Sequence, residues 1–343
     1  MYGPLLALLS AFLFAASTPA SKLLLGSFQP FQLAGLLYLG AAVGMAPVVA
    51  FERRRGTRMV LDRTNAARLG GAVLFGGILG PVLLLFGLRL MLAGSVSLLL
   101  NLEMVATAVL GVALFREHLG RMGWLGVAGI VGAGAILAGG AGWPGLLAAL
   151  LVAAACTCWG LDNHLTALID GITPARSTLV KGAVAGTTNF AIGVLGDPLS
   201  ASLTPVAAAL VVGALSYGAS IALYIRSAHQ IGATRAQMFF ASAPFIGAAL
   251  SFGLLGEALA WEHVTGAVLL AAAITAVFLS QHEHVHVHQA VEHVHTHRHD
   301  DGHHLHAHPD LPTSTHHTHW HRHEQLVHAH PHWPDLHHRH KHS

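Results

Sequence analysis

Charged residues are scarce in this chain. Asp, Glu, Lys and Arg together make up 10% of its 343 residues, whereas 53% are hydrophobic and the mean hydropathy is +0.57. Soluble domains contain about 25% charged residues and rarely include uncharged apolar runs of about 18 residues, of which this chain has several. The composition excludes an ordinary soluble domain and predicts a polytopic membrane protein.

Cysteine is nearly absent as well. The two cysteines, Cys156 and Cys158, lie in one apolar run, so neither a disulfide framework nor a Cys-based zinc site can be built from them. Two residues apart on a helix, their side chains point to nearly opposite sides, which argues against a Cys-x-Cys metal chelate. No nucleophile, base and oxyanion-stabilising group form a recognisable set, so the sequence does not predict an enzyme.

The chain consists instead of ten apolar runs and a polar tail. By hydropathy the runs cover residues 4–25, 30–51, 68–89, 93–115, 122–140, 144–165, 175–195, 204–226, 233–255 and 261–280. About 20 residues of helix cross a hydrocarbon core of about 30 Å, and backbone groups in lipid must be satisfied within the segment. We predict an all-α integral membrane protein with ten transmembrane helices, numbered spans 1 to 10.

Lys and Arg are distributed unevenly between the loops. The loops after spans 2, 4, 6 and 8 contain eleven Arg residues, whereas the opposite loops contain only Lys22 and Arg89; Lys181 is left out because it lies within span 7. Loops rich in Lys and Arg face the cytoplasm. The pattern therefore predicts that both termini are cytoplasmic.

The second half of the apolar region repeats the first. GPLLALLSAFLFAAS near the start is similar to PGLLAALLVAAACTCWG from Pro144, about 141 residues later, and an acidic residue follows the fourth run of each half. Five spans per repeat is an odd number, so the second copy must be inverted, an arrangement that in transporters encloses a substrate site near the midplane. We predict two inverted five-helix repeats, residues 1–140 and 141–280, and a separate tail, residues 281–343.

Glycines four residues apart occur in several of the runs. Small residues at this spacing let helices approach closely. The pairs are Gly40/Gly44 in span 2, Gly76/Gly80 in span 3 and Gly182/Gly186 in span 7. We interpret all three as packing surfaces.

These features resemble the EamA family of the drug/metabolite transporter superfamily. The resemblance rests on the ten spans, on FREHLGRMGWLGVAGIVGAGAIL and LLGEALAWEHVTGAVLLAAAIT at the ends of the two halves, and on LLLNLEMVATAVL in span 4. TCWGLDNHLTALI, VKGAVAGTTNF and MFFASAPFIGAALSFGLLGE, followed by a His-rich tail, resemble a bacterial subgroup. The resemblance implies a transporter of the bacterial inner membrane. Met104 stands where many relatives have Pro, so a proline kink cannot be expected there.

Span 4 contains one charged residue, Glu103. It lies about ten residues into the run, near the predicted midplane, where a charge costs at least about 2.5 to 3.5 kcal/mol on insertion scales. A functional role is therefore the first hypothesis, and a protonated or hydrogen-bonded packing carboxyl is the alternative. Glu117 and Glu257, at helix ends, are interpreted as structural residues that bind backbone groups or Arg at the interface.

Spans 6 and 7 contain a second group of polar residues. Asp162 and His164 lie near the predicted cytoplasmic end of span 6, either as a solvated helix end or as ligands in a vestibule. Lys181 and Asn189 share a face of span 7 and could line a cavity, although Lys181 could equally pair with Asp162. The predicted substrate and proton pathway consists of Glu103, Asp162, Lys181, Asn189 and Asn101.

The tail is the sharpest chemical feature of the sequence. It contains 24 of the 28 His and few aliphatic residues, which is typical of a segment that is disordered without a ligand. Neutral imidazole, with a reference pKa of about 6.5, binds Zn, Ni, Co and Cu(II). A purification tag and a pH-responsive polycation near lipid headgroups are the alternatives. The predicted metal ligands are His282, His284, His286, His288, His293, His295, His297, His299, His303, His304, His306 and His308.

These observations together predict a secondary transporter. The favoured hypothesis is efflux of a divalent transition metal (Zn, Ni or Co), with the tail gathering ions at the cytoplasmic mouth and protons exchanged at Glu103. Moving a doubly charged ion outward against 100 mV costs about 4.6 kcal/mol, so export requires coupling. The alternative is an exporter of small organic metabolites whose tail only senses or buffers metal. A membrane-tethered metal store without transport would leave the repeat unexplained.

The remaining expectations concern cofactors and partners. No cofactor is required, and the divalent metal ions of the tail are the only bound ions that the sequence predicts. The predicted partners are the lipid bilayer and the substrate. Nothing in the sequence indicates nucleic-acid binding, and a homodimer is compatible with it.

Overall fold

The computed structural model describes residues 2–54, 62–115, 119–140, 142–169, 172–231 and 233–278, and the backbone of four strands between residues 282 and 332. Met1–Phe278 form one compact unit and Leu279–Ser343 form a second. In the described part of the first unit, all regular structure is helical. This unit is the membrane domain.

Ten of the helices described by the structure are long and apolar enough to cross a membrane, which confirms the ten predicted spans. Spans 1 to 5 are Gly3–Leu24, Pro30–Arg54, Arg63–Leu90, Ala93–Leu114 and Arg121–Gly139. Spans 6 to 10 are Gly142–Ala167, Pro174–Gly196, Leu203–Ala228, Arg235–Leu254 and Trp261–Phe278. Span 3 begins earlier than hydropathy predicts, because the Asp62 side chain accepts a hydrogen bond from the backbone N–H of Asn65 (2.7 Å) and caps the helix.

Several spans are interrupted. Span 1 consists of Gly3–Ala15 and Ser17–Leu24, span 4 of Ala93–Leu99 and Leu102–Phe115, and span 9 of Ala233–Phe240 and Ala243–Leu254. Span 3 contains the π-helical segment Val73–Leu79 between Arg63–Ala72 and Gly80–Leu90, and span 8 contains the π-helical segment Ala214–Ala219 between Leu203–Gly213 and Ser220–Ile231. The irregularities of spans 3 and 4 therefore recur in spans 8 and 9 about 140 residues later.

Span 4 is interrupted although it lacks proline at position 104. At the interruption, the side-chain Nδ2 of Asn101 donates to the backbone oxygen of Leu98 (2.9 Å), and the backbone N–H of Asn101 donates to the same oxygen at 3.2 Å. Asn side chains compete in this way with the regular helix ladder. In span 9, Pro244 lies in the first turn after the interruption, and it occupies the position that corresponds to Met104. Both halves are therefore interrupted at corresponding positions, but an Asn side chain accompanies the break in span 4 and a proline accompanies it in span 9.

The two halves pack against each other in matching pairs of spans. Span 2 packs on span 7, span 4 on span 9 and span 5 on span 10, and the packing of span 1 on span 8 is matched by that of span 6 on span 3. Spans 2 and 7 are antiparallel. Arg176 at the start of span 7 pairs with Glu52 at the end of span 2 (Nε–Oε2 3.4 Å), and Gln32 at the start of span 2 donates to the backbone oxygen of Asp197 (2.6 Å) after span 7.

Two of the three predicted glycine pairs lie at close helix contacts. A Cβ at Gly182 would lie 2.7 Å from the backbone oxygen of Tyr38, and a Cβ at Gly44 would lie 2.8 Å from the backbone oxygen of Ala214. Spans 7 and 8 therefore approach span 2 nearly backbone to backbone. The third pair, Gly76/Gly80 in span 3, lies against the side chains of Asp162 and Trp159.

In the second unit, the structure describes strands β1 (His282–His288), β2 (Val291–His297), β3 (His317–His323) and β4 (Leu326–His332). β1 pairs antiparallel with β4, and β2 pairs antiparallel with β3. The register places His opposite His, for example His284 opposite His330. Two-stranded pairs of this length are marginally stable at best in water. The strands therefore do not test the predicted disorder of the metal-free tail, which stays a prediction.

Candidate transport site

A polar cluster lies where spans 3, 4, 6 and 7 meet. Its centre is an ion pair in which the ammonium of Lys181 on span 7 donates to both carboxylate oxygens of Asp162 on span 6, each at 2.6 Å. Their side chains are only 16% and 11% exposed. The hydroxyl of Thr166, one turn later on span 6, donates to the same carboxylate at 2.9 Å. Lys181 therefore pairs with Asp162, one of the two possibilities that the sequence left open.

Glu103 on span 4 also contacts span 6. Its Oε1 accepts a hydrogen bond from Nδ2 of Asn163 (2.8 Å), the residue that follows Asp162. Glu103 lies in the first turn of the segment Leu102–Phe115, immediately after the interruption of span 4. The positive end of a helix dipole stabilises a carboxylate at this position. Asn163 binds Glu103 and the adjacent Asp162 binds Lys181, so these contacts of span 6 join the three charged residues into one cluster.

The π-helical segment of span 3 supplies backbone oxygens to this region. The oxygen of Gly76 accepts hydrogen bonds from the hydroxyl of Tyr38 on span 2 (2.5 Å) and from Nε1 of Trp159 on span 6 (3.1 Å). The oxygen of Gly77 accepts from Nδ2 of Asn189 on span 7 (3.1 Å). A π-helical turn breaks the regular i to i+4 pairing, which lets these oxygens bind side chains of neighbouring helices.

Gly76 and Gly80 make room for polar side chains rather than for another helix backbone. A Cβ at Gly76 would collide with the carboxylate of Asp162, and a Cβ at Gly80 would lie 2.7 Å from Nε1 of Trp159. The interpretation of this pair as a helix-packing surface is therefore only half right. The glycines do allow a close approach, but what approaches is the face of span 6 that carries Asp162 and Trp159.

Two predicted pathway residues lie at the edges of the cluster. Asn189 is fully buried, and within the described part of the chain its Oδ1 has no hydrogen-bond partner. Asn101 is 5% exposed, and within the described ranges its side chain binds its own span, through the oxygen of Leu98. His164 is also buried, and its Nε2 lies 2.9 Å from the backbone oxygen of Thr107 on span 4. His164 therefore contacts span 4 rather than standing at a solvated helix end.

Of the two acids predicted at helix ends, Glu117 and Glu257, the structure describes Glu257. The carboxylate of Glu257 accepts hydrogen bonds from the backbone N–H groups of Ala93 (2.6 Å) and Gly94 (2.8 Å), the first residues of span 4. Glu117 lies outside the described residues. So do His299, His303, His304, His306 and His308 of the tail, while the other predicted metal ligands are described by their backbone only. Among the residues that are described, no three His, Cys, Asp or Glu side chains are placed to hold one metal ion.

Sequence reasoning missed Asn163, Trp159, Tyr38 and Gly76 as members of the site. A signal for two of them was present, because Trp159 and Asn163 are four residues apart and share a helix face next to Asp162. Nothing in the sequence marks Tyr38, and the role of Gly76 depends on the π-helical turn.

Comparison with known proteins agrees with this architecture. The model of the EamA-like transporter family matches the chain twice, over residues 1–139 and 146–279. An uncharacterized transporter of Methanothermobacter thermautotrophicus is 26% identical over 301 residues, covering 81% of this chain and 86% of that protein. One solved structure, described only as a crystal structure of a protein, superposes with a TM-score of 0.55 at 18% identity, covering 81% of this chain and 96% of its own. The family matches cover most of the membrane domain, and the chain therefore belongs to the EamA-like transporter family.

Proposed function

We propose that the protein is a proton-coupled secondary exporter of a small organic metabolite, and that its path passes the cluster between spans 3, 4, 6 and 7. The observation that carries the proposal is the cluster itself, in which Glu103 accepts a hydrogen bond from Asn163, the neighbour in sequence of the largely buried Asp162–Lys181 ion pair. Interrupted helices line the substrate sites of many secondary transporters, and Glu103 begins such a segment.

The charges of the cluster suggest how protons couple to transport. With Glu103 ionised, Glu103, Asp162 and Lys181 carry a net formal charge of −1, and protonation of Glu103 brings the net charge to zero. Asp162 is held by Lys181 in both states, so Glu103 is the carboxylate that a proton and a cationic substrate group would compete for. Such competition is what an exchanger needs, since only one of the two crosses at a time.

The ion pair also supports an organic substrate over a metal ion. Both oxygens of Asp162 bind the ammonium of Lys181, and the amide of Asn163 presents hydrogens to Glu103. A divalent cation would have to approach a fixed positive charge and displace these donors, which is electrostatically unfavourable in a medium of low dielectric constant. An organic group with its own donors and acceptors meets no such conflict.

Metal efflux is the second candidate, and the His-rich tail favours it. A multi-site ligand tethered to span 10 would raise the local metal concentration near the membrane surface. In the first proposal the tail senses or buffers metal. We place both termini on the cytoplasmic side, from the distribution of Lys and Arg, and the protein in the bacterial inner membrane.

The test reconstitutes the full chain in liposomes with an imposed pH gradient. Solute movement is measured for a panel of amino acids and small amines and, in parallel, for Zn, Ni and Co. Proton-driven movement of an organic solute that disappears in Glu103→Gln, but not in Glu262→Gln at the exposed start of span 10, supports the proposal. Movement of metal ions alone, with the same dependence on Glu103, would establish the second candidate instead.

A further inference from the structure

A small cavity lies outside the polar cluster, where the interruptions of three spans meet. Phe14 and Thr18 line it from the two sides of the interruption of span 1. Ser97, just before the break of span 4, and Leu100, within that break, line it from span 4. Ala243 and Gly247 line it from span 9, just after its break. Three discontinuous helices thus converge on one space.

Ser97 places an unsatisfied hydroxyl at this cavity. The residue is 1% exposed, and its Oγ has no hydrogen-bond partner among the described residues. Buried hydroxyls are nearly always paired, as the neighbouring serines show. The hydroxyl of Ser251 on span 9 donates to the oxygen of Gly247 (2.7 Å), and that of Ser95 on span 4 lies 2.8 Å from Nε2 of His263.

The cavity also receives the positive end of a helix. The segment Ala243–Leu254 has 12 residues, its first turn contains no acidic side chain, and its N-cap residue Ser242 makes no capping hydrogen bond. The N-terminus of a helix attracts anionic groups. Gly247 keeps the space open, because a Cβ there would lie 2.9 Å from Oγ of Ser97.

The cavity has room for about one water-sized group. We propose that it is a subsite for one carboxylate oxygen of a small organic substrate, with Ser97 as a hydrogen-bond donor and the N-terminus of Ala243–Leu254 as the source of positive potential. Thr18 supplies a second hydroxyl, while Phe14 and Leu100 provide apolar walls that limit the bound group to a small one. Half-helix N-termini that point at a substrate carboxylate are a known solution in membranes. The inference rests on the proposed function and deepens it, since it names the acidic end of the substrate.

Span 4 connects this subsite with the polar cluster. Ser97 precedes the interruption of the span and Glu103 follows it, so both groups belong to one discontinuous helix. A substrate with a carboxylate and an ammonium group would meet a complementary partner at each end. A metal ion would instead be repelled at the Ser97 end by the positive N-terminus of Ala243–Leu254.

The experiment measures binding to the purified full chain in detergent by thermal unfolding. The probes are acetate, L-lactate and L-serine, each compared at the same concentration with the corresponding primary amide, which lacks the carboxylate charge. A ligand that binds only the folded state raises the unfolding temperature. We expect carboxylates to stabilise the protein more than their amides do. We also expect Ser97→Ala to weaken their binding about tenfold, the typical effect of losing a hydrogen bond to a charged group.

Ser251→Ala is the matched control, because it removes a buried hydroxyl whose bond stays within its own helix, and it should leave the affinity unchanged. Thr18→Val, which keeps the shape of the side chain, should weaken carboxylate binding less than Ser97→Ala does. Equal stabilisation by acids and amides, or carboxylate binding that Ser97→Ala does not alter, overturns the inference. The proposed function fails separately, if the liposomes move no organic solute in response to the pH gradient.

Discussion

At the residue scale, Lys181 and Asp162 form an ion pair, so that two opposite charges inside the membrane domain offset each other. Removing two charges from water is expensive, and the two are tolerated here because the ammonium binds both carboxylate oxygens at 2.6 Å. The hydroxyl of Thr166 satisfies one of these oxygens further. The pair therefore fixes the Asp162 side chain beside Gly76, and leaves Glu103 as the carboxylate with a neutral partner.

Lys181→Met should destabilise the protein, because it leaves the carboxylate of Asp162 without a cation. The expected loss is about 3 kcal/mol of unfolding free energy, since an uncompensated buried charge is costly. The double variant Lys181→Met with Asp162→Asn should recover most of it. Unfolding of the purified protein in denaturant measures both, and Arg121→Met, at the exposed start of span 5, is the control. A single variant as stable as the parent would show that the pair contributes nothing to stability.

At the scale of the elements, spans 1, 4 and 9 are interrupted and spans 3 and 8 contain π-helical turns. These irregularities give the helices a role beyond crossing the membrane. They place backbone groups and half-helix ends inside the membrane domain, where a continuous helix would satisfy all of its own hydrogen bonds. Glu257 belongs to the same system, because it follows span 9 and binds the first N–H groups of span 4. It thereby links two of the three spans that line the proposed carboxylate subsite.

Glu257→Ala should loosen the start of span 4. The change removes two charge-assisted hydrogen bonds from backbone N–H groups, so we expect the unfolding free energy to fall by about 2 kcal/mol. Hydrogen exchange of the amides of Ala93 and Gly94 should become faster. Glu262→Ala, a few residues later, should change neither quantity. Unchanged exchange at Ala93 in Glu257→Ala would exclude a capping role.

The His-rich tail should bind metal in a pH-dependent way. Imidazole must be neutral to bind a metal ion and has a reference pKa of about 6.5, so binding is present above this pH and is lost as the pH falls through it. Calorimetry should show several Zn or Ni ions per full chain at about pH 7.5 and almost none below about pH 5.5. A chain that ends at residue 280 is the control. Equal binding by the two chains would remove the tail from any metal-dependent process.

At the scale of the whole molecule, the transporter and the tail are separate units joined in sequence. The family matches end at residue 279, where the second unit begins. All residues named in the polar cluster and in the proposed subsite lie before that point, and none of them belongs to the sequence of the tail. Its contribution to function should therefore be a matter of metal supply or regulation, and it should depend on metal concentration.

Deleting residues 281–343 should leave the transport path working. If the protein exports organic metabolites, the deletion should change how efflux responds to metal and leave the metal content of the cell alone. If it exports metal, the deletion should impair efflux at low metal and not at high metal, because a tethered ligand helps only while free ions are scarce. The measurement is cell-associated metal and exported solutes, side by side, for both chains across a metal series. Loss of all transport in the truncated but folded protein would contradict the separation.

Much of the fold was readable from the sequence because insertion into a bilayer is decided segment by segment. Each run of about 20 apolar residues is a helix whatever its neighbours do, so the positions of the ten spans followed from hydropathy alone. The family resemblance followed from the order and spacing of motifs such as LLLNLEMVATAVL. Glu103, Asp162 and Lys181 stood out because charges inside a membrane are expensive.

Contacts between spans were decided only by the tertiary structure. A period of 3.6 residues says which residues share a helix face but not which helix they meet, because tilt and rotation are set by packing against neighbours. The hydrogen bond from Asn163 to Glu103, the oxygen of Gly76 between Tyr38 and Trp159, and the hydroxyl of Ser97, which has no partner among the residues that the structure describes, all arise this way. Each joins or faces residues far apart in the chain, so no local pattern could reveal it.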